Sequence, residues 1–172
     1  MAEALADVTR VAGLGMIAIR ADLARAGDAI AEAVGLAVPV TARIVTDGSR
    51  SLGWMSPDEL LVILPSAEQA EAMSALDDAL VGEHSLVVDL SDARAAFDVI
   101  GLHASDVIAK LSPADLASMP QDGLRRSRAA QVAAAFWRID GGFRVIGFRS
   151  TADYLQLVLE NAAIAGSDLA PR

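Results

Sequence analysis

Residues 52–69 read LGWMSPDELLVILPSAEQ, and this stretch decides the fold. Its middle, Ser56-Pro57-Asp58-Glu59, has proline at the favoured second position of a turn between two apolar segments. The run Leu60–Leu64 is continuously apolar, which is typical of a buried strand. Ser66 with Gln69 three residues later has the spacing of a capping box, so a helix should follow. The stretch predicts a hairpin and then a serine-capped helix.

The same order of elements recurs near the C-terminus. Segments 131–138 and 143–149 flank Asp140-Gly141-Gly142, which is a strong hairpin signal. Ser150 corresponds to Ser66 as the cap of the helix that follows. The positions predicted to be buried in this last helix are Tyr154, Leu157, Val158 and Ala162. The chain is therefore predicted to be duplicated, although a strand followed by a helix recurs in any α+β domain, and both interpretations give an α+β fold.

The remaining segments also alternate between strand and helix signals. Residues 16–20 predict a strand, followed by a helix that Asp22 caps and Gly35 ends. Ser91 is a candidate cap for a helix over Asp92–Ile100. We expect residues 1–14 to form a flexible N-terminal arm, residues 15–165 a single domain, and residues 166–172 a frayed tail.

Composition excludes several classes of function. The formal net charge of −9 opposes binding to nucleic acid or to an anionic membrane surface. The absence of cysteine excludes disulfides, thiolate nucleophiles, iron–sulfur clusters and cysteine-ligated zinc. The start of the chain has no basic segment followed by an apolar run, so a cytoplasmic protein with no membrane partner is expected. An apolar content of 53% calls for either a large core or a surface that is covered by another protein.

Histidine and serine patterns predict neither a catalytic residue nor a metal site. His84 and His103 are the two histidines of the chain, and neither belongs to an HxxxH, HxH or HExxH pattern. No serine lies in a Gly-x-Ser-x-Gly nucleophile motif. Both histidines are therefore expected to be ordinary surface residues.

Three aspartates near one predicted strand end are candidates for acid–base chemistry. Asp89, Asp92 and Asp98 lie close together in the sequence, and paired carboxylates can donate and accept protons. The favourable interaction of Asp92 with the dipole of a helix N-terminus is a sufficient alternative explanation.

Arginine and tryptophan residues supply the candidate binding groups. Arg125, Arg126 and Arg128 form a basic cluster in a predicted loop, where guanidinium groups clamp a carboxylate or remain solvated. Trp54 and Trp137 lie on predicted strands, where aromatic residues form a pocket wall or anchor a core or interface. For the tryptophans we favour the anchor interpretation.

Four segments together resemble one known family, the gamma subunits of heterotetrameric sarcosine oxidases. The segments are 52–65, 88–94, 107–116 and 143–160. The resemblance implies a fold similar to the folate-binding domain of aminomethyltransferase T-proteins, in which two duplicated ferredoxin-like halves exchange strands. The order and spacing of the segments carry the resemblance, since Trp-x-x-Pro-Asp-Glu also occurs in the wider folate-binding group.

The resemblance also implies a function. A gamma subunit of this kind is expected to be non-catalytic and to support the assembly of alpha, beta, gamma and delta subunits. The complex is expected to demethylate sarcosine oxidatively to glycine, forming peroxide and transferring the one-carbon unit to tetrahydrofolate. FAD, FMN, NAD and tetrahydrofolate are expected on other subunits, with none on this chain.

Two alternative functions stay open at this point. In the first, the chain is an independent folate-binding one-carbon-transfer protein, with Arg125 or Arg126 on the glutamate tail and Trp54 stacked on the pterin. In the second, it is a homodimeric scaffold. The identity of the partner distinguishes all three functions.

Overall fold

The computed structural model describes residues 4–167 and residue 169, and within them it has ten strands and four α-helices. The strands are β1 (Asp7–Val11), β2 (Leu14–Arg20), β3 (Ile44–Asp47), β4 (Arg50–Ser56), β5 (Glu59–Pro65), β6 (Leu86–Asp89), β7 (Arg94–Ile100), β8 (Leu124–Ala129), β9 (Val132–Ile139) and β10 (Gly142–Phe148). The helices are α1 (Leu23–Val34), α2 (Gln69–Ala79), α3 (Ala104–Leu111) and α4 (Ala152–Ala162). Across the described residues, no helix has both the length and the apolarity needed to cross a membrane.

The chain divides into two compact units, where one domain over residues 15–165 was expected. The middle unit is Gly13–Asp92. The terminal unit combines the segment up to Ala12 with the segment from Ala93 onward. Each unit has its own five-stranded antiparallel sheet and its own pair of helices.

The middle unit has the strand order β3-β4-β5-β2-β6. Leaving out β3, the order of strands and helices along the chain is βαββαβ, which is the ferredoxin-like arrangement. Helices α1 and α2 bury their apolar faces on one side of this sheet. The core on that side includes Ile17, Ile19, Ile30, Leu60, Val62, Leu64 and Leu76.

The terminal unit repeats this arrangement in the order β8-β9-β10-β7-β1. Its edge strand β1 comes from the start of the chain, whereas the equivalent strand β6 directly follows α2 in the middle unit. Along the sequence the chain has two halves, from β1 to α2 and from β6 to α4. Each half begins with an edge strand, β1 or β6, that pairs in the sheet formed by the other strands of the opposite half. The predicted α+β fold of duplicated ferredoxin-like halves with exchanged strands is confirmed.

The N-terminal arm predicted for residues 1–14 is wrong from residue 5 onward. Leu5 and Ala6 are buried, and the backbone N–H of Leu5 donates a hydrogen bond to Ala163 O at 2.9 Å. Strand β1 pairs along its whole length with β7, with Asp7 opposite Ile100. The polar sequence of β1 suits an edge strand, because one side of such a strand faces solvent. Residues 1–3 lie outside the described residues.

In the predicted frayed tail, residues 166–172, Ser167 is held by hydrogen bonds. Lys110 Nζ donates hydrogen bonds to Ser167 Oγ at 2.8 Å and to Ala162 O at 2.6 Å. The second of these bonds satisfies a carbonyl at the C-terminus of α4. Residues 168 and 170–172 lie outside the described residues.

The helix predicted for Asp92–Ile100 is wrong, because most of this segment is strand β7. Phe97 and Val99 are fully buried, and their two-residue spacing places them on the face that packs against the core of the terminal unit. The hydroxyl of Ser91 does not cap a helix here. It accepts a hydrogen bond from the backbone N–H of Met16 at 3.0 Å.

The predicted equivalence of Ser66 and Ser150 is off by one residue. A 3-10 turn precedes each of the two helices, Ser66–Glu68 before α2 and Arg149–Thr151 before α4, and these turns are 83 positions apart. Ser150 therefore corresponds to Ala67. The residues at the N-caps of α2 and α4 are Glu68 and Thr151, not the two serines.

That one-residue error rotates the predicted face of α4 by about 100°. Tyr154 and Leu157 were predicted to be buried, but they are 40% and 64% exposed. Val158 is partly buried. The buried positions are Ala152, Leu155, Leu159 and Ala162, of which only the last was predicted.

Candidate functional site

The candidate arginines lie on the edge strand β8 and not in a loop. Successive side chains of a strand point to opposite faces, so Arg125 points away from Arg126 and Arg128. Arg125 is half-buried, while Arg126 and Arg128 are exposed. The structure therefore separates Arg125 from the other two arginines, and the three do not form a single clamp for a carboxylate.

The two tryptophans occupy packing positions in different units. Trp54 on β4 is half-buried against the core of the middle unit. Trp137 on β9 is 3% exposed. The anchor interpretation agrees with both placements. Trp54 and the arginines of β8 belong to different units.

Trp54 and Trp137 are 83 positions apart, as are the two 3-10 turns, but a β-bulge gives the two tryptophans different places in their sheets. The register of β4 against β5 shifts between Trp54 and Ser56, so Trp54 lies opposite Leu60. The uninterrupted pairing of β9 with β10 places Trp137 opposite Arg144. One inserted residue moves a side chain to the other face of a sheet, so the two tryptophans are not equivalent in space.

The candidate carboxylates are engaged in structural contacts. Asp89 accepts a hydrogen bond from the backbone N–H of Ser91 at 2.8 Å, and the contacts with the Ser91 hydroxyl and N–H lower the pKa of Asp89. Asp98 forms a bidentate ion pair with Arg144, at 2.7 and 2.8 Å. Asp98 lies in the terminal unit, whereas Asp89 and Asp92 lie in the middle unit. The structure therefore assigns Asp98 to a cross-strand pair.

His84 lines a pocket of about 750 Å³ in the middle unit. The pocket contains two ion pairs, Arg20 with Asp58 at 2.6 Å and Arg25 with Glu83 at 3.2 Å. A hydrogen bond from the Ser56 hydroxyl, and then the Arg20 guanidinium, lower the pKa of Asp58, and Asp58 in turn raises the pKa of Arg20. Four charged groups of this pocket are thus paired with one another, and a fifth, Asp22, caps α1.

His103 lies at the start of α3, with Nδ1 3.4 Å from Asp106 Oδ2 and with an exposed ring. Among the described residues, no three histidine, aspartate or glutamate side chains are grouped so that they could hold a metal ion.

The outer face of α4 was not predicted from the sequence and consists of Asp153, Tyr154, Leu157 and Glu160. All four residues are exposed. Asp153 Oδ1 lies 3.5 Å from Arg10 Nη1, and Glu160 Oε1 accepts a hydrogen bond from Gln156 Nε2 at 2.8 Å. The signal was present in the sequence, since an 83-residue spacing aligns Leu155 and Leu159 with Ala72 and Leu76 and leaves Tyr154 and Leu157 outward.

Comparison with known proteins decides the family. Residues 19–165 match the model of a family described as "Sarcosine oxidase, gamma subunit family". The chain belongs to this family. A relative from Corynebacterium sp. (strain P-1), named sarcosine oxidase subunit gamma, is 41% identical over 91 residues. That match covers 51% of this chain and 43% of the relative, so the chain spans less than half the length of the relative.

Solved structures show the same fold as this member of the gamma subunit family. A chain of the heterotetrameric sarcosine oxidase from Corynebacterium sp. U-96 superposes with a TM-score of 0.87 at 24% identity, covering 97% of this chain and 88% of that chain. The glycine cleavage system aminomethyltransferase T from Bartonella henselae superposes with a TM-score of 0.64 at 16% identity. The second match covers 92% of this chain and 46% of that chain. Both fold resemblances predicted from the sequence are confirmed.

Proposed function

We propose that this chain is a non-catalytic gamma subunit of a heterotetrameric sarcosine oxidase. The observation that carries the proposal is the family match over residues 19–165. The superposition on a chain of such an oxidase over 97% of this chain supports it independently of sequence identity.

The role of the subunit is to support the assembly of a cytoplasmic complex with alpha, beta and delta subunits. Those subunits hold FAD, FMN, NAD and the tetrahydrofolate site, and they oxidise sarcosine to glycine with the formation of peroxide. The one-carbon unit passes to tetrahydrofolate on the same subunits. The gamma subunit supplies contact surfaces and no reacting group.

The contacts of the candidate site residues favour this role over an independent folate-dependent transferase. Asp98 is held by Arg144, and Asp89 by Ser91. Trp137 is buried. Arg125 and Arg126 point to opposite faces of β8. Groups that could bind or activate a folate are thus occupied or directed apart.

The test is purification of the tagged full chain from its native cells under gentle conditions. The masses of the co-purifying proteins, the flavin absorption spectrum and the sarcosine-dependent production of peroxide are recorded. We expect a yellow, active complex with three further subunits. Recovery of a colourless chain, alone or as a homo-oligomer, from cells shown to make the oxidase contradicts the proposal.

A second measurement tests the assembly role itself. Cells that lack this chain should yield less assembled flavoprotein complex, and supplying the wild-type chain should restore the yield. An unchanged yield of complete, active complex without this chain contradicts a role in assembly.

A further inference from the structure

The two equivalent helices α2 and α4 provide an internal comparison. Each follows a 3-10 turn, and each has 11 residues. At the 83-residue spacing, buried Ala72 corresponds to buried Leu155, and buried Leu76 to buried Leu159. The two helices therefore present the same side to their sheets, and their outward sides can be compared residue by residue.

The outward sides differ in polarity. Glu71 and Ser74 of α2 are exposed polar residues, and at the equivalent positions α4 has Tyr154 and Leu157. Single exposed apolar residues are common, but residues three apart on a helix are neighbours and form one patch. Ile164 beyond the end of α4 is 54% exposed and does not contribute to the contrast, because its equivalent Val81 is 80% exposed.

Acidic side chains border the patch on α4. Asp153 precedes Leu157 by four residues and Glu160 follows it by three, so both are its neighbours on the helix surface. The chain as a whole has a net charge of −9. A second copy docking through the same face would bring like charges together, because a two-fold interface uses the same patch twice. Charge complementarity therefore favours a different chain with basic side chains.

We propose that the outer face of α4 docks on another subunit of the oxidase, at a surface where apolar side chains are bordered by arginine or lysine. Leu157 and Tyr154 form the central contact. Glu160 pairs with the basic border, and so does Asp153, whose side chain stays 95% exposed beside Arg10. Aromatic residues at the desolvated centre of an interface carry much of the binding energy. This inference rests on the proposed function, because the partner is a subunit of the same complex.

The test uses charge variants of α4 with matched controls on α2, each in the full chain. Leu157→Lys and Glu160→Lys alter the outer face of α4, and Ser74→Lys and Asp77→Lys introduce the same side chain at the equivalent exposed positions. The affinity of each full chain for the remaining subunits is measured by titration, with flavin absorption reporting the complex. We expect Leu157→Lys to weaken assembly by about tenfold or more and Glu160→Lys by less. We expect both α2 variants to stay within about twofold of wild type.

The outcomes separate this inference from the proposed function. If Leu157→Lys assembles as tightly as wild type, the docking face is wrong while the proposed function stands. If the wild-type chain assembles with no flavoprotein, the proposed function itself fails. If the isolated wild-type chain dimerises and Leu157→Lys abolishes the dimer, the occupant is a second copy and the inference is overturned.

A second variant covers the case in which Leu157→Lys does not fold, as judged by circular dichroism. Leu157→Ser copies the residue found at the equivalent position of α2, which is tolerated there on an exposed helix face. We expect weakened assembly from Leu157→Ser with an unchanged melting temperature. Unweakened assembly of a folded Leu157→Ser chain overturns the inference.

Discussion

The middle and terminal units have the same order of strands and helices but different chemistry at equivalent positions. On the central strands of the middle unit, Ala18 lies opposite Leu61. The same place in the terminal unit holds the ion pair of Asp98 with Arg144. Leu61 is buried, whereas the side chains of Asp98 and Arg144 are each about one-fifth exposed.

This difference shows at which positions the fold requires buried apolar side chains and at which positions the type of side chain can change. Both units keep a buried helix face and a buried central sheet. The terminal unit has the ion pair of Asp98 with Arg144 and an apolar outer face on α4, whereas the equivalent positions of the middle unit hold Ala18 and Leu61 on the strands and exposed polar residues on α2. The docking face proposed above therefore belongs to the unit whose outer helix surface departs from that of its counterpart.

The largest expected effect comes from the buried side of α4. Leu155 is fully buried, so Leu155→Ala should lower the free energy of unfolding by about 2–5 kcal/mol through loss of apolar contacts and formation of a cavity. Leu157→Ala, on the exposed side, should change it by less than about 0.5 kcal/mol. Urea denaturation of the full-length variants checks both values. A larger loss for Leu157→Ala would contradict the helix orientation.

The next effect tests the contrast between the central pairs. Asp98→Ala should lower the free energy of unfolding by about 1–3 kcal/mol, because it leaves the partly buried Arg144 guanidinium without its carboxylate. The double variant Asp98→Ala/Arg144→Leu copies the Ala18–Leu61 pair and should recover most of the loss. Equal destabilisation of the single and double variants, in the same denaturation assay, would show that the pair is not interchangeable.

A smaller effect concerns acid stability in the middle unit. The pKa of Asp58 is lowered from 3.8 in the folded state, first by the Ser56 hydroxyl and then by Arg20. The folded protein therefore binds fewer protons at this group than the unfolded chain, and the stability that it contributes is present above pH 3.8 and lost as the pH falls through the folded-state pKa. Asp58→Asn and Ser56→Ala should both make the loss of stability below that pH shallower. Acid titrations followed by circular dichroism check this, and unchanged slopes in both variants refute it.

The smallest expected signal is the response to folate. Trp137 is buried and Trp54 packs against a core, so titration with reduced folate should give no saturable change in tryptophan fluorescence. The titration includes Arg125→Ala and Arg126→Ala chains as controls. A saturable change in wild type that either arginine variant removes would support the independent folate-binding function.

Local signals in the sequence predicted much of the fold. Asp22 caps α1 by accepting a hydrogen bond from the backbone N–H of Ala24 at 3.0 Å, and Gly35 ends the helix with a positive φ of 75°. The hairpin of β9 and β10 and the buried strand β5 also form where the sequence predicted them. Caps and turns involve residues a few positions apart, which is why their signals can be read locally.

The candidate site was less predictable because small shifts in position change the direction of side chains. A one-residue error at Ser150 placed Tyr154 and Leu157 in the core, because each residue turns an α-helix by about 100°. In the sheets, the bulge after Trp54 changes the face on which this tryptophan lies, and the strand conformation of β8 directs Arg125 and Arg126 to opposite faces. The patterns around these residues fit more than one register.

The sequence by itself determined the α+β class, the two hairpins, the helix caps of α1 and the family resemblance. Tertiary structure alone decided that Asp7–Val11 is the edge strand opposite β7, and that α4 turns Leu157 outward. The physical reason is that strand pairing between residues such as Asp7 and Ile100 joins distant parts of the chain through backbone groups that every residue carries. Which edge strand completes which sheet therefore has no local signature.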